Sequence, residues 1–274
     1  MCGRYTQTAK LQDLMDRFGF DEPGFELAPR YNLAPSQDAP VLGVNPKTPD
    51  SRTLRLMHWG LVPYHAKDAA KPIINARAET LAQRPAFRNL LPRRRCLVPA
   101  DGFYEWRKEG RFRTPMRFTL RSGEPFAFAG LWDRWLQPDG TPRYSFTIVT
   151  TNPNSLLEPV HNRMPVILLP EDEAKWLDPA NTDPATLSPL LKPYPAELMD
   201  GYCVSRAVNS PANDSPECIA PDEVQALPKG RHSHEDRTGV RAATFDVDFD
   251  EGKDITGALD LFAARRPSRD PDTG

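Results

Sequence analysis

Apolar positions recur with helical spacing in only a few places along this chain. Leu11, Leu14, Met15 and Phe18 share one face of a helix predicted over residues 9–19, and Gly19 supplies its stop. Short helices are also predicted at "AFRNLL" (86–91) and "EDEAKWL" (171–177). Elsewhere the pattern is that of strands, with apolar or alternating runs bounded by Gly, Pro, Asn and Asp. Such runs fall at Val41–Val44, Thr53–Met57, Cys96–Pro99, Phe103–Trp106, Phe112–Leu120, Phe126–Trp132, Tyr144–Thr151, 163–169 and Tyr202–Ser205. Asp101-Gly102 reads as a tight turn between two of them, and "INARAETL" begins a short helix or turn near Asn75. Strands outnumber helices and do not alternate regularly with them. That predicts an α+β fold on a mixed or antiparallel sheet rather than a doubly wound one. The chain contains no internal repeat.

The pattern changes near Asn209, where the sequence turns polar and acidic. Residues 212–254 read as a flexible tail, and "ALDLFAARR" (258–266) as one terminal helix. The 30 prolines among 274 residues predict many loops and short elements. With 39% hydrophobic residues a substantial core can form. No run of 18 apolar residues exists, so no transmembrane helix and no membrane partner is expected. The N-terminus lacks the apolar stretch of a signal peptide. Cys2, Cys96, Cys203 and Cys218 show no paired spacing, which suits a reducing cytoplasm.

Net charge is -2, but its distribution is uneven. Residues 1–211 carry 27 Lys and Arg against 23 Asp and Glu, whereas residues 212–274 carry 8 against 14. Between Arg84 and Arg121 there are eleven basic residues and three acidic ones, mostly arginine. Arginine forks suit phosphates; a solvated basic face is the plainer reading.

Four residues have candidate chemistry. Loss of Met1 would leave Cys2 with a free amine (pKa ~7.7–8) and a thiol (~8.5) on one residue. The amine can form a Schiff base with an aldehyde, and the thiol can close on the imine as a thiazolidine. The same thiol could instead attack an amide, with its own α-amine as base; an ordinary small second residue is the alternative. Asn75 carries a donor and an acceptor, and in an extended segment Arg77 would share its face. A helix cap at Asn75 with Arg77 on the surface fits equally. Glu105 sits among Phe103, Tyr104 and Trp106, where an apolar setting would raise its pKa; surface exposure is the alternative. His161 lies in a turn before an apolar strand, as a proton shuttle or an ordinary loop histidine. His58, His65, His232 and His234 are weaker candidates. No zinc spacing, P-loop, Rossmann fingerprint, HExxH or GxSxG is present, so neither metal nor cofactor is expected.

Together these pieces resemble one family. "MCGRY", "RYNLAPSQ" (30–37), "MHWGLVP" (57–63), "INARAET" (74–80), "RCLVPADGFYEW" (95–106), "FAGLWD" (128–133) and "FTIVTTNPN…HNRMPVIL" are similar to the SOS response-associated peptidase (SRAP) family, from Cys2 to about Asn209. The resemblance implies a single compact catalytic domain over residues 2–211, with a curved β core, small flanking helices and a positively charged groove. Residues 212–274 form an extension outside the match. It implies an abasic-site processing protein that crosslinks its N-terminal cysteine to the ring-opened aldehyde of an abasic site in single-stranded DNA. A strand with duplex on one side would also suit the groove. Catalysis would fall to Cys2, Asn75, Glu105 and His161; phosphates would meet Arg4 and Arg77; bases would meet Trp59 and Trp106. A monomer is expected. A cysteine-type peptidase and a strand-nicking Schiff-base lyase on the same Cys2 remain as alternatives, as does a non-covalent binding module.

Overall fold

The structure, a computed structural model, describes residues 2–45, 48–69 and 71–222. In chain order the strands and helices begin with β1 (Tyr5–Gln7), α1 (Leu11–Phe18), β2 (Arg30–Leu33), β3 (Asp38–Asn45), β4 (Thr48–Trp59) and β5 (Asn75–Arg77). A 3-10 turn at Ala78–Thr80 follows β5. Next come β6 (Arg95–Ala100), β7 (Gly102–Glu109), β8 (Phe112–Leu120), β9 (Phe126–Leu136) and β10 (Pro142–Thr151). The last are β11 (Met164–Pro165), α2 (Pro170–Leu177), α3 (Pro184–Leu187) and β12 (Met199–Cys203).

The strands form two sheets. One runs β12-β8-β7-β1-β2 and is antiparallel throughout. The other closes on itself. Its path β10-β4-β3-β6-β9 returns to β10 because β9 also pairs with β10. β4 and β5 both join β10 in parallel, and β11 joins it antiparallel. The fold is therefore α+β around a closed mixed sheet, as the order of elements predicts.

Two cores explain the apolar runs. Along β9, Phe126 and Phe128 point into a core shared by the two sheets, with Tyr5, Phe103 and Phe118 from the open sheet. Ala127, Ala129 and Leu131 point the other way, against Leu14 and Phe18 of α1 and Trp176 of α2. Both faces of the strand are covered, so its sequence is continuously apolar rather than alternating. Gly19 ends α1 in the left-handed region (φ 61°), where its N–H reaches Met15 O at 2.8 Å. Gly102 serves a different need. A Cβ there would lie 2.6 Å from Arg117 Nε, whose guanidinium crosses to Asp101.

The structure departs from the sequence pattern at five places. "INARAETL" is extended at Asn75–Arg77 before it turns, because β10 offers it a parallel edge. β1 and β2 are too short to show periodicity. Residues 86–91 form turns rather than a helix. Of 163–169 only Met164–Pro165 is regular strand, with Ile167 bridging to Phe128. The packed chain also continues beyond residue 211. Asp214 accepts from the backbone N–H groups of Tyr31 and Asn32, and Cys218 is fully buried beside Tyr104. The rest of the expected tail, its terminal helix, His232 and His234 lie outside the described residues.

Candidate active site

β1 aims the start of the chain into the molecule. Tyr5 pairs with Phe103, and Tyr104 N–H donates to Arg4 O at 3.0 Å. Followed back towards residue 2, this antiparallel register sets Gly3 opposite Glu105. Cys2 is fully buried at the edge of the core between the sheets. Asn75 comes from the other sheet. Its Nδ2 donates to Cys2 O at 2.9 Å. Its Oδ1 is buried and has no hydrogen-bond partner among the described residues. This amide oxygen is an acceptor open to a further donor.

Glu105 is 3% exposed, and burial raises its carboxyl to about pKa 7. It can therefore take and return a proton near neutrality. Burial also pushes the Cys2 thiol well above its ordinary range, and the Glu105 charge adds to the shift. The two groups are therefore close enough to feel each other's charge. The thiol accordingly rests protonated at neutral pH.

His161 lies in the turn between β10 and β11, half-buried. Arg163 N–H donates to its Nδ1 at 3.0 Å. Arg163 O is also near, at 3.2 Å. The pKa, lowered chiefly by burial, favours a neutral ring, and the shorter of the two contacts favours Nδ1 as its acceptor with the proton on Nε2. Lys108, exposed on β7, lowers the His161 pKa further. Cys2, Asn75 and Glu105 thus come together, although up to 103 positions separate them in the chain, while His161 stands in the β10–β11 turn.

The four residues expected to touch nucleic acid are placed unequally. Arg77 is exposed at the end of β5, two positions from Asn75. Trp106 is half-buried on β7, and its Nε1 donates to Asn209 Oδ1 at 2.8 Å. Arg4 is committed inward. It donates to Asn32 Oδ1 (2.8 Å), Val208 O (2.7 Å) and Asn209 O (3.2 Å), and its guanidinium lies 6.0 Å from the Trp106 ring. It braces the wall behind Trp106 rather than offering a fork to phosphate.

Trp59 corrects the sequence expectation outright. It is fully buried, packs on Tyr5 and Phe146, and donates from Nε1 to Ile74 O at 3.0 Å. No face is left for a base. Trp59→Ala is expected to cost about 3–5 kcal/mol in denaturant unfolding. A folded Trp59→Phe protein should bind single-stranded oligonucleotide as the wild type does.

Sequence reasoning missed an ion pair beside the site. Arg163 spans to Glu79 with two hydrogen bonds, at 2.7 and 2.9 Å. Both residues lie inside quoted motifs, but nothing local links positions 84 residues apart. Among the described residues, no cluster of His, Cys, Asp or Glu could hold a metal ion. No described helix is long and apolar enough to cross a membrane.

The chain is similar to known proteins in both sequence and fold. Residues 1–211 match the family described as SOS response associated peptidase (SRAP). The abasic site processing protein YoqW of Bacillus subtilis is 48% identical over 224 residues, covering 80% of this chain and 99% of that protein. The abasic site processing protein HMCES of Gallus gallus is 35% identical over 233 residues, covering 73% and 68%. A crystal structure of a Bacteroides thetaiotaomicron protein superposes with a TM-score of 0.73 at 30% identity, covering 81% of this chain and all of that one.

Proposed function

The chain belongs to the SOS response associated peptidase (SRAP) family, and from that premise we propose that it captures abasic sites in single-stranded DNA as a covalent thiazolidine on Cys2. The observation that carries this reading is the seat of residue 2. It is buried, held through its carbonyl by Asn75, and flanked by a carboxyl whose pKa is about 7.

Removal of Met1 makes Cys2 an aminothiol. The amine adds to the aldehyde carbon of the ring-opened deoxyribose, and the carbinolamine loses water to give an imine. Sγ then bonds to the imine carbon, and the thiol proton ends on nitrogen. A five-membered ring closes with the net loss of one water and no redox partner. Glu105 moves protons in ring opening and dehydration. Asn75 Oδ1 accepts from the amine or a sugar hydroxyl. His161 donates from Nε2 to the sugar oxygen.

The protonated thiol favours this order of events. A peptidase must open with the Cys2 thiolate, which burial disfavours. Amine-first capture brings the thiol in only at the last step, proton included. A strand-nicking lyase would share the imine but leave a cleaved strand.

Arg77, which is exposed, and Trp106, which is half-buried, would meet phosphate and base. Arg77→Ala should weaken binding of single-stranded oligonucleotides whatever their sequence. In fluorescence anisotropy the slope of log K against log salt should fall by ~0.7. An unchanged slope would remove Arg77 from the interface.

The function itself is tested by intact mass. Protein and a single-stranded oligonucleotide with one abasic site are incubated without reductant. A protein lacking Met1 should gain one whole oligonucleotide less one water. A chain beginning at Cys2 that gains nothing would overturn the reading, and a cleaved strand would favour the lyase.

A further inference from the structure

Arg163 makes more contacts than an arginine two residues from a catalytic histidine needs for binding substrate. Its side chain is only 10% exposed. One fork nitrogen donates to Glu79 Oε1 at 2.7 Å and to Asn152 Oδ1 at 3.1 Å. The other donates to Glu79 Oε2 at 2.9 Å and to Thr150 O at 2.6 Å. Its own backbone N–H is the group that donates to His161 Nδ1. The three partners belong to different pieces of the site. Glu79 sits in the turn directly after the Asn75 strand. Thr150 is near the end of β10, where it pairs with Arg77. Asn152 begins the connection that leads to His161.

We infer that the Glu79–Arg163 pair is a positioning clamp, which bolts the His161 turn to the Asn75 strand and thereby fixes the imidazole as an Nδ1 acceptor with its proton on Nε2. A bidentate carboxylate–guanidinium pair has one preferred geometry, so it sets orientation as well as distance. Locking the Arg163 side chain locks its backbone N–H, and that N–H selects the tautomer. Without the carboxylate the guanidinium keeps only neutral acceptors, the turn loosens, and the ring can exchange tautomers. Neither Glu79 nor Arg163 touches the reacting atoms in this scheme. The mutual hydrogen bonding holds Glu79 below its ordinary carboxylate range, so the pair stays charged through neutrality.

The role of the clamp rests on the abasic-site reading for its effect on rate, but its effect on the ring can be measured without DNA. Long-range proton–nitrogen spectra of the full chain report the protonated nitrogen of each of its five histidines, and His161→Gln assigns the relevant signal. Wild-type protein should show a neutral His161 ring protonated at Nε2. Glu79→Ala should show mixed tautomers, and Glu79→Asp should recover part of the wild-type pattern. In parallel, adduct formation at saturating abasic oligonucleotide should slow by roughly 10- to 100-fold in Glu79→Ala. Binding of an undamaged oligonucleotide should not change. A merely structural pair would lower the melting temperature and leave both ring and rate alone. Unaltered His161 nitrogen signals in a folded Glu79→Ala protein would overturn the clamp. Failure of the wild type to form any adduct would instead count against the abasic-site reading, and the spectra would still decide the clamp.

Discussion

Cys2→Ala protein should form no stable adduct with an abasic oligonucleotide, and this is the largest effect we expect. Alanine keeps the amine and can still form an imine, but it has no sulfur to close the ring. The imine is reversible, so the adduct should appear only when borohydride traps it. Cys2→Ser should behave similarly, because the hydroxyl closes a much less stable ring. Both side chains fit the space of a buried cysteine, so folding should survive. Denaturing gel electrophoresis without reductant checks the result. A Cys2→Ala adduct of wild-type yield would mean that the link lies elsewhere.

Glu105→Gln should slow adduct formation by on the order of 100-fold or more, since it removes the group that moves protons near neutrality. It should also stabilise the protein. The carboxyl has an ordinary pKa of 4.5 and a folded pKa of about 7. Between these values the folded state binds more protons than the unfolded one. Stability attributable to Glu105 therefore falls as pH rises through that window. Above it, the charged buried carboxylate costs ~3 kcal/mol. Glutamine lacks this penalty. The variant should melt several degrees above wild type near pH ~8 and close to it near pH ~4. Equal melting at both pH values would contradict the raised pKa. Loss of rate together with gain of stability is what a strained catalytic group predicts.

Much of the site was legible because its residues sit in short distinctive motifs, while their convergence was not. Glu105 could be read from its neighbours. Phe103 and Tyr104 are fully buried, and the strand carries Glu105 inward with them. Asn75 could not, because a helix cap and a three-residue strand look alike until β10 supplies the partner edge. Trp59 was misread for a related reason. The resemblance set it against bases, yet β4 pairs with β10 up to Trp59 itself and drives it into the core. Arg4 looked like a phosphate ligand beside Cys2. Its acceptors are Asn32 and two carbonyls more than 200 positions away, which no local pattern announces. Acidic composition likewise concealed the packing of residues 212–222. There a single side chain, Asp214, caps two N–H groups of β2.

β10 pairs with β9, β4, β5 and β11, and His161 follows ten residues after its end. On the ribosome that order becomes a delay. Residue 2 emerges first, but Asn75 cannot be seated until residue 151 has been made, nor His161 until later still. At ~5–20 residues per second the chain spends roughly 10–30 s with its most reactive residue exposed and unguided. On the proposed chemistry, with Met1 removed, an aldehyde that meets the terminal aminothiol in that interval would react before folding hides it. On that reading the yield of active protein depends on how soon the β10 ring closes. Strand pairings far from Cys2 should then bear on how much protein reaches its active form.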